Sequence, residues 1–108
     1  MISAKFMGSK NQIISFEISG HAGYDEEGYD IVCSAVSALS IGIGNGILEV
    51  LKFNADYLME DGFLSMSLKN LSKEEINECQ VLLKTLLLAL KNIELSYKPY
   101  IEVIEEEV

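Results

Sequence analysis

The sequence predicts one α/β domain over residues 1–108, a mixed sheet packed in two layers against two helices in the order β-β-α-β-β-α-β. Three observations carry this expectation. Two pairs of alternating apolar and polar segments are each joined by turn-forming residues. A long run rich in small and apolar residues lies between the pairs. A capped, leucine-rich stretch of helical period follows the second pair.

The first pair opens the chain. Ile2, Ala4 and Phe6 alternate with Ser3, Lys5 and Met7, and Ile14, Phe16 and Ile18 alternate with Ile13, Ser15 and Glu17. Gly8 to Asn11 supply the turn between them. A helix is expected from about Ile31 to about Lys52, "IVCSAVSALSIGIGNGILEVLK". Within it Ser34, Ala38, Gly42 and Gly46 recur every four residues and form a stripe that lets a strand or a second subunit come close. "GIGNG" (42–46) falls inside this helical pattern, lacks the Gly-Lys-Ser/Thr ending, and does not read as a nucleotide loop.

"ADYLME" and "FLSMSLK" flank Asp61-Gly62, a strong hairpin signal that turns Leu64, Met66 and Leu68 toward the core. Ser72-Lys73-Glu74-Glu75 is a capping box. Behind it Ile76, Cys79, Leu83, Leu86, Leu90 and Ile93 mark one helix face. The last strand, "YKPYIEVIE", carries Pro99 near its start; proline has no N–H for a ladder, so an edge or a strand opening is expected.

Composition narrows the function. About half of the residues are apolar (49%), enough to fold rather than stay disordered. Eight lysines, no arginine and seventeen acidic residues give a net charge of −9, which repels phosphate backbones and argues against direct nucleic-acid binding. The same charge suits a basic protein partner. The opening residues alternate and show no secretory stretch, and the run read as most apolar, "VLLKTLLLAL", is ten residues long, with Lys84 inside it, against the roughly twenty of a membrane span. A cytoplasmic protein with reduced thiols and no membrane contact is expected.

Chemistry concentrates in "GHAGYDEEGYDIVCSA", residues 20–35, with the only histidine and one of two cysteines. Cys79 lies on the apolar stripe of the second helix and reads as a small core residue. Cys33 reads differently. With Asp30 as N-cap, Cys33 would be the third residue of its helix, where dipole and unpaired N–H groups favour a thiolate and could hold an oxyanion. His21 follows the second strand, just before the loop, and if the helix returns to that strand it can take the thiol proton and later protonate the leaving amine. A zinc site from these two residues and the nearby carboxylates lacks paired-ligand spacing. A thiol redox sensor, and a plain solvated acidic loop, remain open readings.

"GHA", the acidic glycine-containing loop and "DIVCSAVS" together resemble the ribosomal-processing cysteine proteases, the Prp family. Chain length, the β-β start, the capped second helix and the final strand share the resemblance. The pattern fixes His21, Asp30, Cys33 and Ser37 together, and Ser34 stands where an alanine or other small residue is common. The resemblance implies a cysteine endopeptidase that removes a short N-terminal extension from large-subunit ribosomal protein twenty-seven (the L-series), needed for ribosome maturation. It implies a homodimer, a Cys33–His21 dyad, no metal or other cofactor, and a loop that orders around substrate. Asp30 and Ser37 would support the dyad. Tyr24 and Tyr29 would wall an apolar peptide, and Asp25, Glu26 and Glu27 would steer a basic one. A non-catalytic assembly factor binding the same basic partner is the competing reading.

Overall fold

The computed structural model describes residues 1–20 and 27–108, and the side chains of 1–20 and 31–108. Its elements are β1 (Ile2–Ser9), β2 (Gln12–Ser19), α1 (Glu27–Asn45), β3 (Asp56–Glu60), β4 (Phe63–Ser67), α2 (Lys73–Ser96) and β5 (Ile101–Glu107). The strands form one sheet in the order β3-β4-β2-β1-β5. The β1–β2, β2–β4 and β3–β4 pairs are antiparallel, and β5 lies parallel to β1, so the sheet is mixed as expected.

Alternation does most of the work in β1, where Ile2, Ala4 and Phe6 are buried and the residues between them are not. The two-residue turn Lys10-Asn11 has positive φ at both positions (53° and 65°), the twist-matched hairpin turn. In β2 the expected alternation breaks. Met7 pairs with Ser15 but Gly8 pairs with Ile13, which leaves Ile14 as the extra residue of a bulge. Ile13, Phe16 and Ile18 therefore face inward, and Ile14, expected in the core set, is only half-buried. A Cβ on Gly8 would lie 1.9 Å from the Gln12 carbonyl oxygen, so the bulge admits only glycine there.

Gln80 of α2 fastens this irregular stretch. The Ile13 N–H donates to its Oε1 (2.7 Å), and its Nε2 donates to the Ile13 carbonyl (2.9 Å) and the Ile76 carbonyl (3.0 Å). One buried amide thus does for Ile13 what a neighbouring strand would do.

The capping box is complete: the Glu75 N–H donates to Ser72 Oγ, and the Ser72 N–H donates to Glu75 Oε1. Cys79, Leu83, Leu86 and Leu90 of α2 are buried as the periodicity requires. They meet Phe6, Phe16, Leu64, Met66 and Ile101 of the sheet, with the Phe6 and Phe16 rings stacked at 5.9 Å. Val32, Val36 and Ile47 add α1 and its continuation to this core. Pro99 sits in the turn before β5, at the sheet edge, where its missing N–H costs no ladder bond.

Two features of α1 differ from expectation. It begins at Glu27, inside the acidic loop, and it ends in a π-helical turn, Gly46–Val50, closed by Leu51 N–H to Gly46 O at 2.9 Å. Ile31–Val50 is also the apolar run long enough, by length and composition alone, to cross a membrane; the ten-residue run in α2 is not the most apolar stretch. In the fold, Val32, Val36, Ser40, Gly44 and Ile47 are buried, as one face of a core helix would be.

Candidate active site

Cys33 is half-buried on α1 and packs against the core. Because the helix starts at Glu27, Cys33 is its seventh residue and not its third. Asp30 accordingly lies within the helix, not at the N-cap. The unpaired N–H groups belong to the first four residues, and the dipole effect fades within the first turn. Cys33 therefore draws neither thiolate stabilisation nor oxyanion donors from its own helix end.

The strand end and the helix do converge. Gly20 closes β2 with φ of +112° and donates its N–H to Gly62 O (3.0 Å) on the β3–β4 turn. A Cβ there would come within 2.5 Å of the Met1 carbonyl oxygen, so the position demands glycine. Gly20 and Ser37 line the same cleft, together with Ile41, the Met59–Glu60 end of β3, and Phe63 and Leu64 of β4. The residue before His21 and the residue one turn beyond Cys33 thus border one depression of about 130 Å³. Ser37 is exposed at its rim and not packed away.

His21, Tyr24, Asp25 and Glu26 lie outside the described residues, and Glu27, Tyr29 and Asp30 are described only as helix backbone. Among the described residues no three His, Cys, Asp or Glu side chains gather as metal ligands. The small-residue stripe divides: Ser34, Ala38 and Gly42 face outward, and Gly46 is turned toward α2, where a Cβ on it would lie 3.4 Å from Leu82 Cδ1.

The two thiols live in different settings. Cys79 is fully buried, and burial first, then the carboxylates of Glu78 and Glu75, push its thiol up to about 11. A thiol that holds its proton at neutral pH is a poor nucleophile and a poor resolving partner. Of the residues lining the cleft, sequence reasoning singled out Ser37 but missed Ser40, Met59 and Phe63. Spacing held one available clue, since Ser40 follows Cys33 by seven residues, nearly two whole turns.

Comparison with known proteins agrees with this geometry. The family model described as cysteine protease Prp matches residues 1–102. The ribosomal processing cysteine protease Prp of Bacillus subtilis is 31% identical over 107 residues, covering 95% of this chain and 96% of that protein. A crystal structure of a Streptococcus mutans protein superposes with a TM-score of 0.89 at 29% identity, covering 100% of this chain and 96% of the other. The essential ribosomal processing protease Prp of Staphylococcus aureus, solved with a substrate peptide, superposes with a TM-score of 0.83 at 26% identity, covering 97% and 99%. The same enzyme has been solved with a covalently linked product peptide.

A five-stranded mixed sheet, with a half-buried cysteine on the helix that follows its first hairpin, is here the framework of a cysteine protease. The chain belongs to the Prp family of ribosomal processing cysteine proteases.

Proposed function

We propose that the enzyme removes an N-terminal extension from the precursor of large-subunit ribosomal protein twenty-seven, with Cys33 as nucleophile and His21 as its base and acid. His21 takes the Cys33 proton, and the thiolate sulfur adds to the scissile carbonyl carbon. The resulting oxyanion collapses, the C–N bond breaks, and the leaving amine receives the proton from His21. Water, deprotonated by His21, then attacks the thioester and releases the extension, which restores the thiol.

The observation that carries this reading is the shared cleft, bordered by Gly20 before His21 and by Ser37 one turn from Cys33. The covalently linked product peptide in the S. aureus enzyme supports a covalent route through sulfur. A net charge of −9 suits a basic ribosomal substrate. Asp30 and Ser37 assist as neighbours of the dyad on the same helix. The protein works in the cytoplasm as a homodimer, a reading supported by the exposed Ser34, Ala38 and Gly42, which leave room for a second copy to approach.

The test is cleavage of purified precursor by the wild type, Cys33→Ala and His21→Ala. Loss of cleavage is expected in the cysteine variant, and a fall of about 10²–10⁴-fold in the histidine variant. A wild type that binds precursor without cutting it would replace this reading with that of a non-catalytic assembly factor.

A further inference from the structure

The hairpin turn Asp61-Gly62 does more than reverse the chain. Asp61 is exposed, and its carboxylate makes no hydrogen bond or ion pair among the described residues. Gly62 has φ of +74°, a conformation that favours a residue without Cβ. Its N–H has no partner among the described residues either, because the Glu60–Phe63 pair closes the turn around both positions. A free carboxyl, an unengaged main-chain nitrogen and no Cβ on the second residue are what ring closure between side chain and backbone requires.

The chemistry balances with water alone. Gly62 N attacks Asp61 Cγ, an N–C bond forms, the Cγ–OH bond breaks, and the amide proton leaves with the hydroxyl as water. Water then opens the cyclic imide at one of its two carbonyls. Attack at Cγ restores aspartate. Attack at the Asp61 main-chain carbonyl breaks its bond to Gly62 N, and the chain then runs through Cβ and Cγ as an isoaspartate.

Asn45-Gly46 is the contrast. An asparagine closes the same ring with loss of ammonia, and Asn45 is exposed as well. Its backbone, however, is helical (φ −63°, ψ −35°) where α1 passes into the π-helical turn, and helical bonding engages the N–H that would have to attack. There the ring closes only if the helix unwinds.

The turn is also tied to the site. Gly62 O accepts the Gly20 N–H at 3.0 Å, and Gly20 precedes His21. Met59, Glu60, Phe63 and Leu64, on either side of the turn, wall the cleft. An extra methylene in the main chain breaks the Glu60–Phe63 register and moves the Gly62 carbonyl off Gly20.

We propose that Asp61-Gly62 is a site of spontaneous isoaspartate formation in the folded enzyme, and that this modification inactivates it through the link from Gly62 to the residue before His21. The part that concerns activity rests on the peptidase reading above.

The experiment ages the folded protein at neutral pH, below its unfolding transition, beside a guanidinium-unfolded sample. Isoaspartate is read by peptide mapping with electron-transfer fragmentation, the imide as a species lighter by one water, and activity as kcat/KM on precursor. Isoaspartate should accumulate at residue 61 of the folded protein, while Asn45 stays intact there and deamidates in the unfolded sample. The fall in kcat/KM should be proportional to the isoaspartate fraction. Asp61→Ser, which cannot close the ring, and Asp61→Glu, which needs a six-membered one, should each hold their starting activity over the same period. No isoaspartate at residue 61 of the folded protein, over the time in which the unfolded chain forms it, overturns the site. Isoaspartate that leaves kcat/KM unchanged, or equal loss of activity in the wild type and both variants, overturns the link to the active site. Should fresh enzyme never cut precursor while isoaspartate forms, the modification stands and the peptidase reading falls.

Discussion

Gln80→Met keeps the length and bulk of the side chain and removes its amide. The Ile13 N–H and the Ile13 carbonyl then lose their buried partners, whereas the Ile76 carbonyl keeps the backbone of its own helix. Each unpaired buried group costs about 1–3 kcal/mol, so the loss of two should be roughly 2–6 kcal/mol. That is a large part of the ~5–15 kcal/mol that holds a domain of this size together. Urea unfolding followed by circular dichroism should show a lower midpoint at unchanged slope. Gln80→Glu adds a control. Its carboxylate can still accept from Ile13 N–H but faces the Ile13 and Ile76 carbonyls without a donor. Its deficit should be large at pH 7 and shrink as acid protonates the carboxyl and restores a donor. A change below about 0.5 kcal/mol in the methionine variant, or a glutamate deficit independent of pH, would refute the claim that this amide substitutes for a strand.

Other consequences are open to simple tests. Gly42→Ala should raise stability by about 0.5–1 kcal/mol, because a Cβ there meets nothing within 4 Å and alanine is the better helix former. Gly44→Ala places its Cβ 3.0 Å from Tyr57 Cε1, and should fall at least ~1 kcal/mol below Gly42→Ala in the same denaturation assay. Ser72→Ala, which opens the capping box, should cost about 1 kcal/mol. Between pH 9 and 11 an unfolded chain gives up the Cys79 proton and the folded one keeps it, so stability is intact below pH 9 and falls as pH rises through this window. The Cys79 share of the slope approaches ~1.4 kcal/mol per pH unit, and Cys79→Ala should be shallower by up to that amount, as read from urea midpoints across that range. At pH 7.5 the folded protein should take up one equivalent of iodoacetamide, at Cys33, and a second only when unfolded.

Much of the fold was legible because its signals are local. The capping box at Ser72, the Asp61-Gly62 turn and the apolar stripe of α2 each depend on residues within a few positions of one another. The Ile14 bulge was not legible, since apolar residues at both 13 and 14 let either one fit the alternation, and only pairing with Gly8 decides between them. The start of α1 was hidden by its composition. Asp30 looks like an N-cap, yet the helix runs back through Gly28 to Glu27, placing Cys33 deeper in the helix and removing its claim on the helix end. Helical spacing placed Ser37 one turn beyond Cys33 on the same face. The cleft did not, because Met59 and Phe63 reach it from a hairpin more than twenty residues away in sequence. Ser40 was not singled out in the sequence, and its burial without a partner exists only in three dimensions.

The most direct test of the central claim is intact-protein mass spectrometry of an acid-quenched mixture of enzyme and precursor. A thioester intermediate predicts an adduct on Cys33 with the mass of the released extension less one water, formed before product accumulates and missing in Cys33→Ala. Cleavage by Cys33→Ala at the wild-type rate, or an adduct mapped to any other residue, would contradict the account.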